Sequence, residues 1–155
     1  MIRRANEKDL EGVKKLLEEV LNVHAGIRPD LFKANTRKYT DEELLNIFND
    51  DTTPVFIYVE DDQVLGHVFL EFKDIKETNN MYASKTLYID DLCVGADYRN
   101  KHIGSLLFDY VKEYAKKINC DYITLNVWEG NTSAIEFYKK RGFSTRKYSM
   151  EIKID

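Results

Sequence analysis

The chain has 155 residues, a formal net charge of −4 at pH 7 and an apolar content of 43%. A chain of this length can bury its own core, so we expect a single domain over residues 1–155. Two cysteines are too few for a disulfide framework, and no apolar run approaches the ~18 residues of a membrane span. The acidic balance argues against a general nucleic-acid binder, which needs basic residues to neutralise phosphates. Together these properties predict a cytoplasmic globular protein without a nucleic-acid or membrane partner.

The first fifty residues predict two amphipathic helices. Residues 1–5 can pair in a sheet, and Asn6 is suited to cap a helix whose apolar residues recur at helical spacing as far as Leu21. Residues 24–38 break this pattern and predict a loop. Thr40 stands three residues before a glutamate, the spacing of a capping box, which predicts a second and shorter helix.

After Pro54 the hydrophobic pattern becomes that of β-strands. Residues 55–59 and 64–72 are rich in β-branched and aromatic side chains and predict an antiparallel hairpin. Gly66 inside the second strand indicates a bulge or a close approach of another element. A third strand is predicted at residues 86–94.

A helix with one continuous apolar stripe begins at Ile103. It separates the strand at residues 86–94 from another predicted at residues 122–128. Short connections between a strand, a helix and a second strand favour a βαβ crossover, in which the two strands are parallel.

The last part of the chain predicts one short helix and two strands. The helix covers residues 132–141 and ends at Gly142, a residue suited to the position after a helix C-terminus. Residues 143–148 and 149–154 are predicted as strands. The whole order predicts an α+β fold with a mixed, mostly antiparallel central sheet, one parallel βαβ crossover and helices on both faces.

The segment between the third strand and the Ile103 helix, residues 95–104, is the first candidate site. A strand that enters a helix through a tight loop leaves backbone N–H groups unpaired at the positive end of the helix dipole, where phosphate binds readily. The segment and the first turn of the helix also supply cationic and hydroxyl groups, from Arg99, Lys101, His102 and Ser105. The alternative interpretation is an ordinary loop with solvated basic side chains.

A second pattern, N-x-x-A-x-x-x-Y-x-x-x-G-F, lies at residues 131–143. Together with Arg99–Gly104, which is similar to the loop motif [QR]-x-x-G-x-[GA], it resembles the GNAT superfamily of N-acetyltransferases. The resemblance extends over residues 87–143 and implies a GNAT-like acyl-CoA N-acyltransferase fold. His102 stands where the motif has its first glycine. A negative φ there would tolerate histidine, whereas a positive φ would strain the loop.

The resemblance implies acetyl-CoA as the co-substrate and no metal. The loop is expected to hold the pyrophosphate, and the end of the third strand to line the pantetheine arm and the acetyl carbonyl. The implied cofactor-binding residues are Leu92, Cys93, Val94, Arg99, Asn100, Lys101, His102, Ile103, Gly104, Ser105, Asn131 and Tyr138. For Asn131, the alternative is that it only caps the last helix.

Acyl transfer to a primary amine needs a base, because an amine with a pKa near ~10.4 is protonated at neutral pH. The resemblance implies Tyr138 as the proton donor to the departing thiolate; the alternative is a tyrosine that only packs in the core. The stretch around Tyr88 is similar to the strand that carries a glutamate base in spermidine/spermine acetyltransferases, which implies Asp90 as the base. Neighbours on a regular strand point to opposite faces, so Asp91 is not expected to act with Asp90 on one substrate. Alternatively, both aspartates form salt bridges or end the strand.

The function implied is transfer of an acetyl group from acetyl-CoA to a primary amine of a small molecule or peptide, by direct attack in a ternary complex. The alternative is a non-catalytic CoA-binding module of the same fold, used for sensing or interaction. By analogy, residues 28–32 cover the acceptor cleft, and the acidic runs at 41–43, 50–51 and 60–62 favour a cationic amine. A homodimer is compatible with this resemblance.

Overall fold

The computed structural model describes all residues from Met1 to Asp155. Five strands form one sheet in the order β1-β2-β3-β4-β5. Their bounds are Ile2–Arg4 (β1), Val55–Glu60 (β2), Gln63–Ile75 (β3), Ser84–Val94 (β4) and Tyr122–Leu125 (β5). The first four strands pair antiparallel, while β4 and β5 are parallel. The predicted mixed sheet with one parallel crossover is therefore confirmed.

Four α-helices accompany the sheet: Leu10–Ile27 (α1), Asp41–Phe48 (α2), Ile103–Lys117 (α3) and Thr132–Lys140 (α4). Asn6 caps the short 3-10 turn that leads into α1, and Thr40 forms the predicted capping box at the start of α2. The expected break of α1 at His24 was wrong, because the helix continues to Ile27 and buries Ala25. The connection to α2 therefore begins at Arg28. No helix combines the length and the apolar character that crossing a membrane requires.

The helices cover both faces of the sheet, and each face has its own hydrophobic core. Neighbouring residues of β3 point to opposite sides, so Val68 and Leu70 pack with Leu107 of α3, while Phe69 packs with Leu17 of α1. Gly66 makes this packing possible, because a Cβ at that position would lie 3.1 Å from a methyl carbon of Leu107. The predicted close approach at this glycine is confirmed.

The C-terminal part departs from the expectation. No strand forms at residues 143–148 or 149–154, and no backbone N–H from residue 144 onward donates a hydrogen bond to the backbone. Alternating apolar side chains do not make a strand unless a neighbouring backbone completes the ladder. The strand predicted at 122–128 is also shorter, since it ends at Leu125. The end of α4 is as predicted, because Gly142 has a φ of +98° and follows the helix C-cap.

Candidate active site

The parallel pair β4–β5 separates at one end of the sheet. The two strands pair only from Thr86 with Tyr122 to Ile89 with Leu125. Beyond that point β4 continues to Val94 without a neighbour on this side. The result is an opening along the last residues of β4, which include the predicted pantetheine-lining residues 92–94.

The N-terminus of α3 closes one end of this opening. A Cβ placed on Gly104 would lie 3.4 Å from Phe137 of α4 and 3.7 Å from Val94 of β4. A Cβ at Gly104 would make ordinary contacts with both neighbours, so the first turn of α3 lies directly beside the end of β4 and the last helix. A long, narrow molecule lying along β4 would reach the helix N-terminus here.

The loop before α3 presents unpaired donors, as expected. The backbone N–H groups of residues Lys101–Ser105 donate to no other group of the protein. They lie at the positive end of a 15-residue helix, an arrangement that favours an anionic ligand. His102 has a φ of 61° and a ψ of 16°, so it occupies the left-handed region. The loop therefore has the positive φ that makes a histidine strained where the motif has glycine, although histidine is among the residues more often found there.

Arg141 adds a cation to this end of the site, and the sequence patterns did not single it out. Its guanidinium donates a hydrogen bond to the Ser105 hydroxyl and lies 4.5 Å from the centre of the Phe137 ring. The Nε atom of Arg141 is buried and has no hydrogen-bond partner in the protein. Only the folding of α4 back against α3 brings this residue to the loop, so spacing along the chain gave no signal.

A bulge in β4 changes the orientation expected for the two aspartates. Phe69 pairs with Asp91 and Leu70 with Ile89, which leaves Asp90 as an extra residue on β4. The expectation that Asp90 and Asp91 point to opposite faces was therefore wrong. Strict alternation fails at a bulge, and both carboxylates reach groups packed on the Phe69 side of the sheet.

Asp90 contacts the segment that connects α1 to α2. One carboxylate oxygen accepts a hydrogen bond from the Tyr39 hydroxyl at 2.7 Å, and the other lies 2.8 Å from the Lys38 ammonium. Burial and the neighbouring Asp90 carboxylate raise the pKa of Tyr39 to about 12. Burial opposes the charged form of Lys38, but the hydrogen bond and the charge of Asp90 prevail and raise its pKa. Asp90 therefore holds a primary ammonium group in this structure.

Asp91 is held by a histidine that no sequence pattern indicated. His67 of β3 is fully buried, and its Nε2 is hydrogen-bonded to a carboxylate oxygen of Asp91. The other ring nitrogen of His67 is buried without a partner. The pairing of His67 with Cys93 across the strands places this inward-facing histidine near the carboxylates, and that register is a feature of the structure which no spacing in the sequence indicates.

Tyr138 lies on α4 with its ring against Phe137 and Phe143. The residue is half-buried, and its hydroxyl forms no hydrogen bond within the protein. Burial raises the pKa of Tyr138, and the nearby Asp91 carboxylate raises it further. The hydroxyl thus stays protonated at neutral pH, which is the state that a proton donor requires.

The remaining predicted residues have mainly structural contacts. Burial raises the pKa of the Cys93 thiol, which lies 3.6 Å from the Leu16 carbonyl oxygen, so it is a protonated core residue rather than a nucleophile. Leu92 and Val94 pack against the α3 core. The Asn131 side chain accepts a hydrogen bond from the Ala134 N–H at 3.3 Å and caps α4.

An aromatic corner lies beyond the end of β5. Trp128 meets Phe32 edge-on, with ring centres 5.6 Å apart, and the Arg28 guanidinium lies 5.6 Å from the Trp128 ring centre. Residues 28–32, the segment expected to cover the acceptor cleft, thus contact the β5–α4 connection.

Two carboxylates of the acidic runs form ion pairs at the surface. Asp41 pairs with Lys14 and Arg37, and Asp51 pairs with Arg4.

Comparison with known proteins agrees with this geometry. Residues 17–143 match the family model described as acetyltransferase (GNAT) family. A crystal structure of a mutant BH1408 protein from Bacillus halodurans superposes with a TM-score of 0.95 at 28% identity, over 99% of each chain.

Two curated relatives are N-acetyltransferases by name. The probable N-acetyltransferase san of Drosophila melanogaster is 41% identical over 66 residues, which are 42% of this chain and 36% of that protein. The thialysine N-epsilon-acetyltransferase of Bos taurus is 24% identical over 148 residues, which are 92% of this chain and 82% of that protein. The chain spans little more than a third of the length of the Drosophila relative. The family model covers most of the sequence, including the strands at the β4–β5 opening and the loop before α3. The chain therefore belongs to the GNAT acetyltransferase family.

Proposed function

We propose that the chain is an acetyl-CoA-dependent N-acetyltransferase that acetylates a primary amine of a small molecule or peptide. The observation that carries this proposal is the opening along β4, which leads to the unpaired N–H groups of Lys101–Ser105. An elongated thioester with a diphosphate at one end matches an opening that runs along a strand to a helix N-terminus, where unpaired N–H groups favour an anion. No feature of the molecule favours the alternative of a non-catalytic CoA-binding module.

The pyrophosphate is proposed to bind the backbone of residues 99–105, with Arg99, Lys101 and Arg141 supplying positive charge. The pantetheine arm then lies along residues 92–94 and brings the thioester towards Asp90 and Asp91. In this placement the partnerless Nε of Arg141 supports a role in anion binding, because a buried donor without an acceptor is costly unless a ligand satisfies it.

The chemistry requires removal of a proton from the amine and delivery of a proton to the thiolate of CoA. Asp90 is proposed as the base, directly or through water, because its carboxylate already holds the ammonium of Lys38 at 2.8 Å. A substrate ammonium would replace that of Lys38. Tyr138 is proposed as the donor, because its raised pKa keeps it protonated. Asp91, held by His67, would orient the groups around Tyr138. The amine attacks the thioester carbonyl directly in a ternary complex, since the buried Cys93 thiol is not available to form an acyl-enzyme.

Release of free CoA thiol over a panel of amines, with mass spectrometry of the products, tests the proposal. Di- and polyamines, amino acids and short peptides with a free N-terminus cover the acceptor classes. Acetyl-CoA affinity, measured by calorimetry, should weaken at least tenfold in Gly104→Val, because the added methyl groups would crowd Phe137 and the anion site. Gly26→Val is the matched control, since nothing lies within 4 Å of a Cβ on that helical glycine. Absence of acetyl-CoA binding by the unaltered protein would overturn the proposal.

Three further properties belong to the same proposal. Residues 1–155 form one GNAT domain, supported by a single sheet with helices from both ends of the chain packed on it. The protein acts in the cytoplasm, supported by two free cysteines, a common state under reducing conditions. A homodimer is proposed as well, supported by the exposed apolar side chains of Tyr148, Met150, Ile152 and Ile154.

A further inference from the structure

Lys38 lies where the acceptor amine of the proposed reaction would lie. Its ammonium is 2.8 Å from a carboxylate oxygen of Asp90, the proposed base. The Lys38 side chain is 56% exposed and that of Asp90 only 19% exposed, so the lysine reaches from the surface to a largely covered carboxylate. A primary ammonium held beside a base is the arrangement that an amine needs before it attacks a thioester.

The segment that carries Lys38 is held against the same carboxylate by its neighbour. The Tyr39 hydroxyl donates a 2.7 Å hydrogen bond to the second oxygen of Asp90, and the Tyr39 ring stacks on Phe69 of β3 with ring centres 5.9 Å apart. Nε of Arg37 donates to the Tyr39 carbonyl oxygen at 2.9 Å. The contact between Lys38 and Asp90 therefore differs from an ion pair of two mobile surface side chains, because the backbone beside the lysine is fixed.

Two other lysines pair with carboxylates but lie away from the opening along β4. Lys116 is 2.7 Å from Glu113 near the C-terminus of α3, and Lys76 is 2.7 Å from Asp74 near the end of β3. Both are more exposed than Lys38, at 68% and 82%. Since acetyl-CoA in solution reaches exposed amines more readily, uncatalysed acetylation favours these two lysines over Lys38.

We propose that Lys38 is a self-acetylation site. With acetyl-CoA bound and no other amine at Asp90, the protein transfers the acetyl group to its own Lys38 Nζ. This inference rests on the proposed function, because it uses the same thioester placement, the same base and the same proton donor.

The transfer is balanced by the groups already placed in the site. The Lys38 ammonium gives one proton to Asp90, and the free Nζ attacks the thioester carbonyl. The C–N bond forms and the C–S bond breaks as the thiolate takes the proton of Tyr138. The amide nitrogen returns its surplus proton to Tyr138, and the proton on Asp90 passes to the solvent. The products are N-acetyl-lysine, free CoA and one released proton.

Two properties follow from this placement. The modified lysine has lost its charge and its nucleophile, so the reaction stops after one acetyl group per chain. An acceptor amine that occupies the position at Asp90 displaces Lys38, so amines that support turnover should slow the modification of Lys38.

Peptide mapping by mass spectrometry tests the proposal on the full chain with acetyl-CoA alone. Lys38 should be acetylated at least ~10-fold faster than Lys116 or Lys76, because its amine is already held at the site. Its rate should saturate with acetyl-CoA and should not change when the protein is diluted, whereas the slow rate at Lys116 should rise linearly with acetyl-CoA. Equal rates at the three lysines, or a Lys38 rate that falls on dilution, would overturn the proposal.

Lys38→Arg and its matched control Lys116→Arg complete the test. Arginine keeps a positive charge opposite Asp90 but stays protonated and cannot accept the acetyl group. Intact-mass measurement should show one added acetyl group in the unaltered protein and in Lys116→Arg, and none in Lys38→Arg. An unmodified Lys38 in a protein that acetylates an amine of the panel would contradict self-acetylation alone. A protein that does not bind acetyl-CoA would contradict the proposed function as well.

Discussion

Replacing His102 by glycine should stabilise the unliganded protein. His102 has a φ of 61°, and an L-residue in the left-handed region costs roughly 1–2 kcal/mol. Glycine avoids this steric cost but loses about 0.5–1 kcal/mol through the greater freedom of the unfolded chain. The difference is a net gain of ~0.75 kcal/mol at the midpoint of a range of ~0–1.5 kcal/mol, which corresponds to a rise of ~2 °C in the melting temperature of a domain of this size.

Thermal unfolding without acetyl-CoA measures this difference. Arg99→Gly is the matched control, because Arg99 is another exposed residue of the loop but has a φ of −67°. Glycine relieves no strain there, so Arg99→Gly should lower the melting temperature by ~2 °C through chain entropy alone. Two glycine substitutions three positions apart are therefore expected to shift the melting temperature in opposite directions. Equal destabilisation by both variants would refute this expectation.

Three other outcomes are expected. Tyr138→Phe should lower turnover ~10²–10⁴-fold with little change in acetyl-CoA affinity, and unchanged turnover would leave Tyr138 a packing residue. Because the pKa of Tyr138 is raised, the rate of the unaltered enzyme should persist above pH ~10, where an ordinary tyrosine loses its proton. Asp90→Asn should remove or shift the acidic limb of the kcat/KM profile, and the same change in Asp91→Asn alone would assign the base to Asp91. Gly66→Ala should lower the free energy of unfolding by about 1–3 kcal/mol in denaturant titration, since its Cβ would lie 3.0 Å from the Cys93 carbonyl oxygen; an unchanged midpoint would show that α3 can shift to admit the methyl group.

Local patterns predicted the elements that depend on local chemistry. The Thr40 capping box, the α3 stripe and the Gly142 helix end lie where the sequence indicated, because each depends on residues within a few positions. The two strands predicted at residues 143–148 and 149–154 were wrong for the opposite reason. A strand needs a partner backbone, and the pattern of one segment does not say where that partner lies.

The candidate site shows the same division. The loop before α3, with its unpaired N–H groups, follows from a strand entering a helix, so the sequence predicted its position. The contacts of Arg141 with Ser105 and of His67 with Asp91 join residues 36 and 24 positions apart, and no spacing rule relates them. The orientation of Asp90 depended on a bulge, and the sequence offered only the expectation of regular alternation.

Asp90, the extra residue in β4, is not one of the residues that pack this strand into the two cores. Ile89, Leu92 and Val94 pack with the α3 core, whereas Asp91 pairs with His67 and Cys93 with Leu16 on the other face. Without residue 90, these side chains would already follow a regular two-residue alternation. The alternation of β4 side chains between the two faces of the sheet therefore does not depend on Asp90. A chain that lost this single position would keep its cores and lose a carboxylate, so evolution or design can add or remove the proposed base without rebuilding the strand around it.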